Sequence, residues 1–406
     1  MASDESVVGA SIPADRALRS VAAIVGVGNT DYATDYKAAR SREPDYVPPD
    51  SESLALTAFE AALADSGLER DDIDGLSLAY MYGDGDLETA AGKMGIEPRY
   101  AVKTGGLMAG LIPHAAVALA AGRCDTIALV YSAVPKAVGR VFGGMTHANM
   151  GRHSYSYYHP WGWSSQAAHW AFMATYYQTL YGTTEADFGH VALALREHAG
   201  RNPQAVMRDP LTIDDYLRSR YIVRPLHLFD MCLPNDGGVC LILRRAELAS
   251  DLPHAPVFAA GWGDAALHDT KMHYMVKERL HSQIQEAGRQ TLDMAGLTLS
   301  DIGHFQAYDA SSFHIINQLE GTGFVAPGEG VEFCKDGQMG LGGSLPTNTS
   351  GGMLSEAYMH GWNHVAEAVR QLRGEAGERQ VPDLHASLFC LAETDRANTL
   401  VLTRGA

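Results

Sequence analysis

Apolar, β-branched stretches alternate along the chain with stretches in which apolar residues recur at helical spacing. Residues 21 to 28 read Val-Ala-Ala-Ile-Val-Gly-Val-Gly, which predicts a buried strand ending in glycine. Residues 51 to 66 predict a helix, since Ser51 or Ser53 can cap its start and leucines and alanines supply much of an apolar face. Residues 75 to 80 predict a second strand. Alternation of strands and helices favours an α/β fold.

The segment between the first strand and the first helix contains turn-forming residues. Pro44, Pro48 and Pro49 stand among charged residues within residues 29 to 50. Because proline interrupts both helices and sheets, this segment predicts an extended surface loop.

The pattern of the first strand and helix recurs in the second half of the chain. Residues 256 to 263 repeat the apolar, glycine-ended pattern of residues 21 to 28, and residues 295 to 302 share Gly-Leu-x-x-x-Asp-Ile with residues 66 to 73. The two repeats have nearly the same separation, which indicates an internal duplication. We therefore predict a flexible N-terminus (1–20), an N-terminal half (21–134 and 231–250), an inserted segment rich in His, Tyr and Trp (135–230) and a C-terminal half (251–406).

Composition narrows the classes of function. The chain has 406 residues and a formal net charge of -17, which argues against a general nucleic-acid binder, although a local basic groove can still bind an anionic substrate. Five cysteines without Cys-x-x-Cys spacing predict free thiols, a cytoplasmic location and no metal site in this chain. Pro113, Arg123 and Asp125 interrupt the most apolar region, residues 105 to 130, so we predict no membrane span.

Residues 338 to 364 concentrate glycine and short polar side chains. Two glycine pairs flank a Pro-Thr-Asn-Thr-Ser segment, and glycine lets the backbone approach a ligand closely. We predict a binding loop that leads into a helix starting near Met353, with Tyr358 and His360 in its first turns, where free N–H groups favour anions. A plain turn between a strand and a helix is the alternative.

This segment resembles a signature of thiolases in their lipid-transfer-protein branch. Asn348-Thr-Ser-Gly-Gly, followed by Gly361, is similar to their Asn-x-x-Gly-Gly and Gly-His-Pro-x-Gly motifs, with Tyr358 in the place of the catalytic histidine. Leu107 aligns with the nucleophilic cysteine of the family, and residues 95 to 120 contain no Cys or Ser. Tyr308 precedes Asp309 where relatives have His-Asp-Ala or a similar triplet.

The resemblance implies a thiolase-like fold, an α/β architecture of two similar βαβαβ-type halves in five layers with an inserted loop domain, usually as a homodimer. The two tyrosines look like those of the steroid side-chain-cleaving aldolases. Those enzymes split a 17-hydroxy steroid C22 carboxyl-CoA into a 17-keto steroid and propionyl-CoA during sterol side-chain degradation. They work in a heterotetramer with an OB-fold, zinc-containing subunit, so the resemblance implies no cofactor in this chain and zinc only in the partner.

Retro-aldol chemistry explains why a site without a thiol would keep two phenols. It needs a base for the β-hydroxyl proton, an acid for the enolate carbon and donors for the enolate oxygen, but no covalent acyl intermediate. We predict that Tyr308 and Tyr358 move the two protons, in an order that the sequence does not fix. Asn348 and the N–H groups of Gly351 and Gly352 are predicted to polarise the thioester oxygen. Asp309 and His360 are supporting candidates.

Three other interpretations stay open at this point. The same reaction could act on another sterol, a bile-acid chain or an aromatic β-hydroxyacyl-CoA. A thiolase could use a displaced thiol, for which Cys390 is the best candidate. The chain could also be a non-catalytic subunit that binds acyl-CoA, with both tyrosines simply packed in its core.

Overall fold

The computed structural model describes residues 16–41, 46–81, 83, 85–105, 108–139, 159–161, 165–266, 280–393 and 396–405. The strands are Ala22–Asn29 (β1), Gly75–Met81 (β2), Tyr100–Lys103 (β3), Thr126–Ala133 (β4), Tyr221–Val223 (β5), Leu226–His227 (β6), Gly237–Arg245 (β7), Val257–Ala266 (β8), His304–Ala307 (β9), Ala386–Ala392 (β10) and Arg396–Thr403 (β11). The α-helices are Tyr32–Ser41 (α1), Ser51–Ser66 (α2), Leu87–Met94 (α3), Leu111–Ala120 (α4), Gln166–Tyr181 (α5), Glu185–Gly200 (α6), Ile213–Arg218 (α7), Ser282–Ala295 (α8), Ser312–Thr322 (α9), Gly330–Lys335 (α10), Gly352–Ser355 (α11) and Trp362–Arg373 (α12).

The described strands form one large sheet in the order β3-β2-β4-β7-β1-β8-β11-β10-β9, with β5 and β6 as a separate pair. The order reads symmetrically outward from the junction of β1 and β8. On each side the first two pairings are antiparallel and the third, β2 with β4 or β9 with β10, is parallel. Strands β1 and β8 pair only briefly, at Ala23–Phe258 and Ile24–Val257. The two halves that the sequence repeat predicted are therefore related by topology as well as by sequence.

Glycines in β1 and β8 allow a helix to lie close against each half. A side chain at Gly28 would collide with the carbonyl oxygen of Ala58 in α2, and one at Gly263 would collide with that of Ala287 in α8. Both helices end at a glycine in the left-handed region, Gly67 (φ 69°) and Gly296 (φ 66°). The glycines that recur in the sequence repeat therefore have the same packing and capping roles in both halves.

Alternating side chains of the first half contribute to two separate cores. Ala23, Val25 and Ile242 pack with α2, whereas Ala22, Ile24 and Leu243 pack in a larger core that includes α4 and α12. Period-two alternation places successive strand residues on opposite faces, so helices cover both faces of the sheet. No helix among the described residues is long and apolar enough to cross a membrane.

The predicted loop between the first strand and α2 is wrong in its first part, because α1 occupies Tyr32–Ser41. Asp31 stabilises the start of this helix by accepting hydrogen bonds from the backbone N–H and the hydroxyl of Thr34, at 3.0 and 2.8 Å. All three prolines lie beyond the end of the helix, so they bound it without interrupting it.

Candidate active site

The backbone of Tyr308 is fixed where β9 ends. Its N–H donates to the carbonyl of Cys390 in β10 at 2.8 Å. The side-chain amide of Gln318, one turn and a half into α9, donates to the Tyr308 carbonyl at 2.8 Å and accepts from its N–H at 3.2 Å. The Tyr308 side chain is buried. A phenol on a backbone held from two sides has little freedom to move during a reaction.

Tyr358 lies in an irregular segment between α11 and α12, and its N–H donates to Asn235 Oδ1 at 2.7 Å. The predicted helix with Tyr358 and His360 in its first turns is therefore wrong. The helix stops at Ser355, and the chain turns through His360 (φ 48°) and Gly361 (φ 89°) before α12 begins at Trp362. Left-handed backbone at a non-glycine residue is uncommon and concentrates at functional sites.

Three side chains form a buried hydrogen-bonded chain, and they include both predicted tyrosines. The side chain of Tyr358 hydrogen-bonds that of Tyr308, and His360 Nε2 lies 2.5 Å from Tyr358 Oη. Burial raises the pKa of Tyr308 well above the ordinary phenol value, the nearby Glu393 and Cys232 add to the effect, and the bond to Tyr358 opposes it. Burial also lowers the pKa of His360 to about 4, so its imidazole is neutral at pH 7. The three side chains therefore form a buried series of groups that can each carry a proton.

Asp309 organises the backbone beside this chain. Its carboxylate accepts hydrogen bonds from the N–H groups of Met353 (2.9 Å) and Leu354 (3.2 Å) at the start of α11. His364 Nε2 lies 2.8 Å from Asp309 Oδ1, with both side chains fully buried. A side chain at Gly352 (φ 58°) would collide with this carboxylate. Asp309 therefore holds the loop and the strand end in one arrangement, a positioning role.

Asn348 is beside the site, but most of its side chain is engaged. Its Oδ1 accepts from Ala307 N–H at 2.7 Å and its Nδ2 donates to the Ala307 carbonyl at 2.8 Å. The N–H of Gly351 donates to the Asn348 carbonyl at 2.9 Å. These bonds hold the loop against β9, and they already engage one Nδ2 hydrogen of Asn348 and the Gly351 N–H, which are donors that a substrate oxygen would need. The structure brings Asn348, Gly351 and Gly352 next to Asp309, without showing the predicted oxyanion contacts.

Buried polar side chains hold the loop at Thr349 and Ser350 in place. Burial alone would raise the pKa of Glu367, but the charge and hydrogen bonds of Arg379, together with hydrogen bonds from Thr349 and Gln371, lower it to about 2. Ser350 donates to Glu356 at 2.6 Å, a carboxyl whose pKa burial raises. Paired buried charges and satisfied polar groups make the loop conformation costly to change.

Comparison with known proteins places this geometry in a family. Residues 265–393 match the family model described as Thiolase C-terminal domain-like. Over 369 residues, the chain is 36% identical to a steroid side-chain-cleaving aldolase of Thermomonospora curvata, covering 88% of this chain and 91% of the relative. This chain belongs to the family of the steroid side-chain-cleaving aldolases.

Two further comparisons agree with membership of this aldolase family. A 17-hydroxy-3-oxo-4-pregnene-20-carboxyl-CoA lyase of Mycobacterium tuberculosis is 36% identical over 88% of this chain and 92% of its own length. A solved Ltp2-ChsH2(DUF35) aldolase superposes with a TM-score of 0.83 at 35% identity, covering 95% of this chain and 98% of the other. The predicted thiolase-like fold, the family and the reaction class of a carbon-carbon lyase are confirmed.

The thiols of this aldolase-family chain are poor candidates for nucleophiles. Leu107, aligned with the thiolase cysteine, lies outside the described residues. Cys390 is fully buried within β10, and burial raises its thiol pKa well above the ordinary value. Cys232 lies close enough to Tyr308 to raise the pKa of that phenol. Burial and the charge of Asp309 raise the pKa of the Cys232 thiol as well. Thiols with raised pKa values stay protonated at neutral pH, and the thiolate is the reactive form.

Sequence reasoning missed Asn235 and Gln318, which hold the backbones of the two tyrosines. Asn235 lies in Pro-Asn-Asp-Gly-Gly just before β7, in a segment whose Leu233 N–H also donates to the Met353 carbonyl at 2.9 Å. An Asn-Asp-Gly-Gly sequence at the start of a strand is typical of a turn, and this turn pattern was the sequence signal that could have drawn attention to Asn235. Within the described ranges, no group of three or more His, Cys, Asp or Glu side chains could hold a metal ion.

Proposed function

We propose that this chain is a retro-aldol lyase that cleaves the bond between the α- and β-carbons of a β-hydroxyacyl-CoA thioester. The observation that carries the proposal is the hydrogen-bonded pair Tyr308 and Tyr358, at the two positions where thiolase motifs have other catalytic groups. Two phenols can transfer protons, but they cannot hold an acyl group as a thioester, as the cysteine of a thiolase does. The named lyase and aldolase among the relatives support the same reaction class.

Direct contact between the tyrosines suits the proton balance of this reaction. The β-hydroxyl loses its proton as its oxygen becomes a ketone, the carbon-carbon bond electrons form the enolate of the CoA thioester, and the enolate carbon gains a proton. One tyrosine, in its ionised form, receives the first proton, and the other, in its neutral form, delivers the second. Because the two hydroxyls are hydrogen-bonded, a proton passed between them restores the site without solvent.

The substrate class that we propose is a 17-hydroxy steroid C22 carboxyl-CoA, which would give a 17-keto steroid and propionyl-CoA. The name of the Mycobacterium tuberculosis relative specifies a 17-hydroxy pregnene carboxyl-CoA, and the similarity spans nearly the whole chain. The second Nδ2 hydrogen of Asn348 and the Gly352 N–H remain the proposed donors to the thioester oxygen. Coenzyme A would enter as part of the substrate, with no further cofactor held by this chain.

A partner subunit is also part of the proposal. The structural match to the Ltp2-ChsH2(DUF35) aldolase supports an assembly with a DUF35-type chain. We propose a homodimer of this chain with two OB-fold partners, a heterotetramer in which zinc lies in the partner.

The test is a product assay without added free CoA. The purified chain, with and without a co-expressed DUF35-type partner, is incubated with a 17-hydroxy steroid C22 carboxyl-CoA and, separately, with an aromatic β-hydroxyacyl-CoA. We expect stoichiometric 17-keto steroid and propionyl-CoA from the steroid only. Cleavage of the aromatic substrate alone would contradict the steroid assignment. Binding of both CoA esters without cleavage under any condition would identify a non-catalytic subunit.

A further inference from the structure

His360 is the third member of the buried chain, and the proton balance of the proposed reaction gives it a task. Its Nε2 is 2.5 Å from the Tyr358 hydroxyl, and the two rings meet edge to face with centroids 4.7 Å apart. Its backbone has φ 48°, so the fold holds the ring there at a conformational cost. Among the described residues, its Nδ1 has no hydrogen-bond partner although the side chain is buried.

A tyrosine acting alone is a weak base in this site. A phenol of ordinary pKa, near 10, is only about 0.1% ionised at pH 7, which costs roughly 4 kcal/mol. Burial raises the pKa of Tyr308 further. A phenolate base would also give the site a net negative charge throughout the reaction, and an uncompensated charge is costly in a buried site.

The imidazole of His360 offers a base that need not be ionised beforehand. Burial makes it a weak base, but the negative charge that develops beside it during the reaction favours its protonated form. It is neutral at pH 7, so a lone pair is available to accept a proton. When it does so, an imidazolium forms together with the enolate, and the site as a whole stays neutral. In the part of the chain that the structure describes, the titratable groups that face the ring are Tyr358 and Tyr131, whose ring centroid lies 5.9 Å away, and burial alone accounts for its lowered pKa.

We propose that His360 is the base of the reaction and acts through Tyr358, which leaves Tyr308 as the acid. Tyr358 takes the β-hydroxyl proton while its own proton moves to His360 Nε2. The carbon-carbon bond breaks to give the ketone and the enolate, and Tyr308 protonates the enolate carbon. Tyr308 then regains a proton from Tyr358, and Tyr358 regains one from His360. This inference rests on the proposed lyase function and assigns the order that the sequence left open.

The pH dependence of the wild-type enzyme separates the two kinds of base. With neutral His360 as the base, kcat/KM stays constant within about twofold from pH 6 to 9, because the imidazole is already unprotonated throughout that range. With a phenolate base, kcat/KM rises about tenfold for each pH unit over the same range. A rising profile would overturn the proposal, and this test needs no variant.

His360→Gln gives the second test, because the glutamine amide reaches the position of Nε2 and can hydrogen-bond Tyr358 but cannot take its proton. We expect kcat to fall at least about 100-fold with KM nearly unchanged. Since both residues act in one relay, adding His360→Gln to Tyr358→Phe should cost little more than Tyr358→Phe alone. A fully active H360Q enzyme would assign His360 a structural role only.

The control is His227→Gln, which changes a buried histidine whose Nδ1 lies 3.0 Å from the Ser219 carbonyl, in the inserted segment. It should leave kcat unchanged. Thermal unfolding of each variant shows whether it is folded. If wild-type enzyme cleaves no substrate, the proposed function fails. If it cleaves substrate with a rising pH profile or with an active H360Q variant, only this inference fails.

Discussion

The hydroxyl groups of Tyr308 and Tyr358 are small parts of two well-packed side chains, and their removal tests chemistry with little change in packing. Each hydroxyl takes part in a hydrogen bond within the buried chain. A thiol mechanism would make these hydroxyls dispensable. The effect of removing these hydroxyls on turnover therefore distinguishes a lyase from an acyltransferase.

Replacement of either tyrosine by phenylalanine should lower kcat about 100-fold to 10,000-fold, because each phenol transfers one of the two protons. The double variant should be no worse than tenfold below the poorer single variant, since the two hydroxyls act in one relay. Steady-state kinetics with the acyl-CoA substrate measure both effects. The control is Tyr216→Phe, which removes a buried hydroxyl bonded to Asp230 at 2.7 Å. It should lower stability by about 1–3 kcal/mol and leave kcat intact.

Alkylation of the thiols should have little effect on turnover. Burial raises the thiol pKa of Cys124 to about 12 and those of Cys232 and Cys390 further, so their thiolate populations are small at pH 7.5. The test compares turnover before and after iodoacetamide treatment, and mass spectrometry identifies the cysteines that are modified. Rapid inactivation that follows modification of a single cysteine, and that Cys232→Ala abolishes, would contradict a thiol-free mechanism.

At the scale of elements, the site depends on a short helix and a turn that bring separate strands together. Helix α11 has only four residues. The N–H groups of Met353 and Leu354 in this helix donate to the carboxylate of Asp309, which lies just after β9. The segment before β7 supplies Asn235 to the Tyr358 backbone. Local periodicity explains little of this arrangement, since the chain between α11 and α12 turns through two residues in the left-handed region, His360 and Gly361.

Gly352→Ala tests how closely the loop must approach Asp309. The backbone there has φ 58°, and a methyl group would collide with the Asp309 carboxylate and approach Asn348 Nδ2. We expect a loss of stability of about 1–3 kcal/mol and a fall in kcat of at least tenfold, measured by denaturant unfolding and by turnover. Gly342→Ala is the matched control, because a side chain at Gly342 meets open space. Equal behaviour of the two variants would show that the Asp309 contact is unimportant.

The sequence predicted α2 correctly from local residues, and it selected two tyrosines that the structure buries close to one another. Tyr308 and Tyr358 stand at motif positions, and α2 occupies the predicted residues 51 to 66, with Asp50 as its actual cap in place of a serine. His360 was named only as a supporting candidate, because its contact with Tyr358 arises from a left-handed turn that no apolar pattern reveals. Asn235 was missed because its partner is over a hundred residues away in the chain.

At the scale of the whole molecule, two similar halves build one continuous sheet, and the site uses mainly the second half. Glycines at equivalent places let α2 and α8 pack against their strands, so duplication preserves the framework. The halves therefore share their architecture, while Tyr308, Tyr358 and His360 all lie in the second half.

Buried histidines should make the whole molecule sensitive to mild acid. Burial lowers the pKa values of His169, His304 and His360 to about 4, whereas an unfolded histidine titrates near 6.5. Between these values the unfolded state binds more protons, so stability falls as pH decreases. The expected slope is roughly 3 kcal/mol per pH unit near pH 5, in urea unfolding at a series of pH values. Glu367, whose pKa is lowered to about 2, adds a further loss only below about pH 4.5. Constant stability from pH 7 to 5 would contradict the assigned protonation states.

The most direct test of the central claim is the dependence of cleavage on free coenzyme A. A thiolase needs free CoA to release its acyl-enzyme, whereas proton transfer between Tyr308, Tyr358 and His360 needs none. The initial rate of propionyl-CoA formation from a 17-hydroxy steroid C22 carboxyl-CoA is measured with free CoA varied from zero to saturation. We predict full turnover at zero CoA and no acceleration on its addition. Turnover that is absent without CoA and saturates as CoA is added would contradict the account.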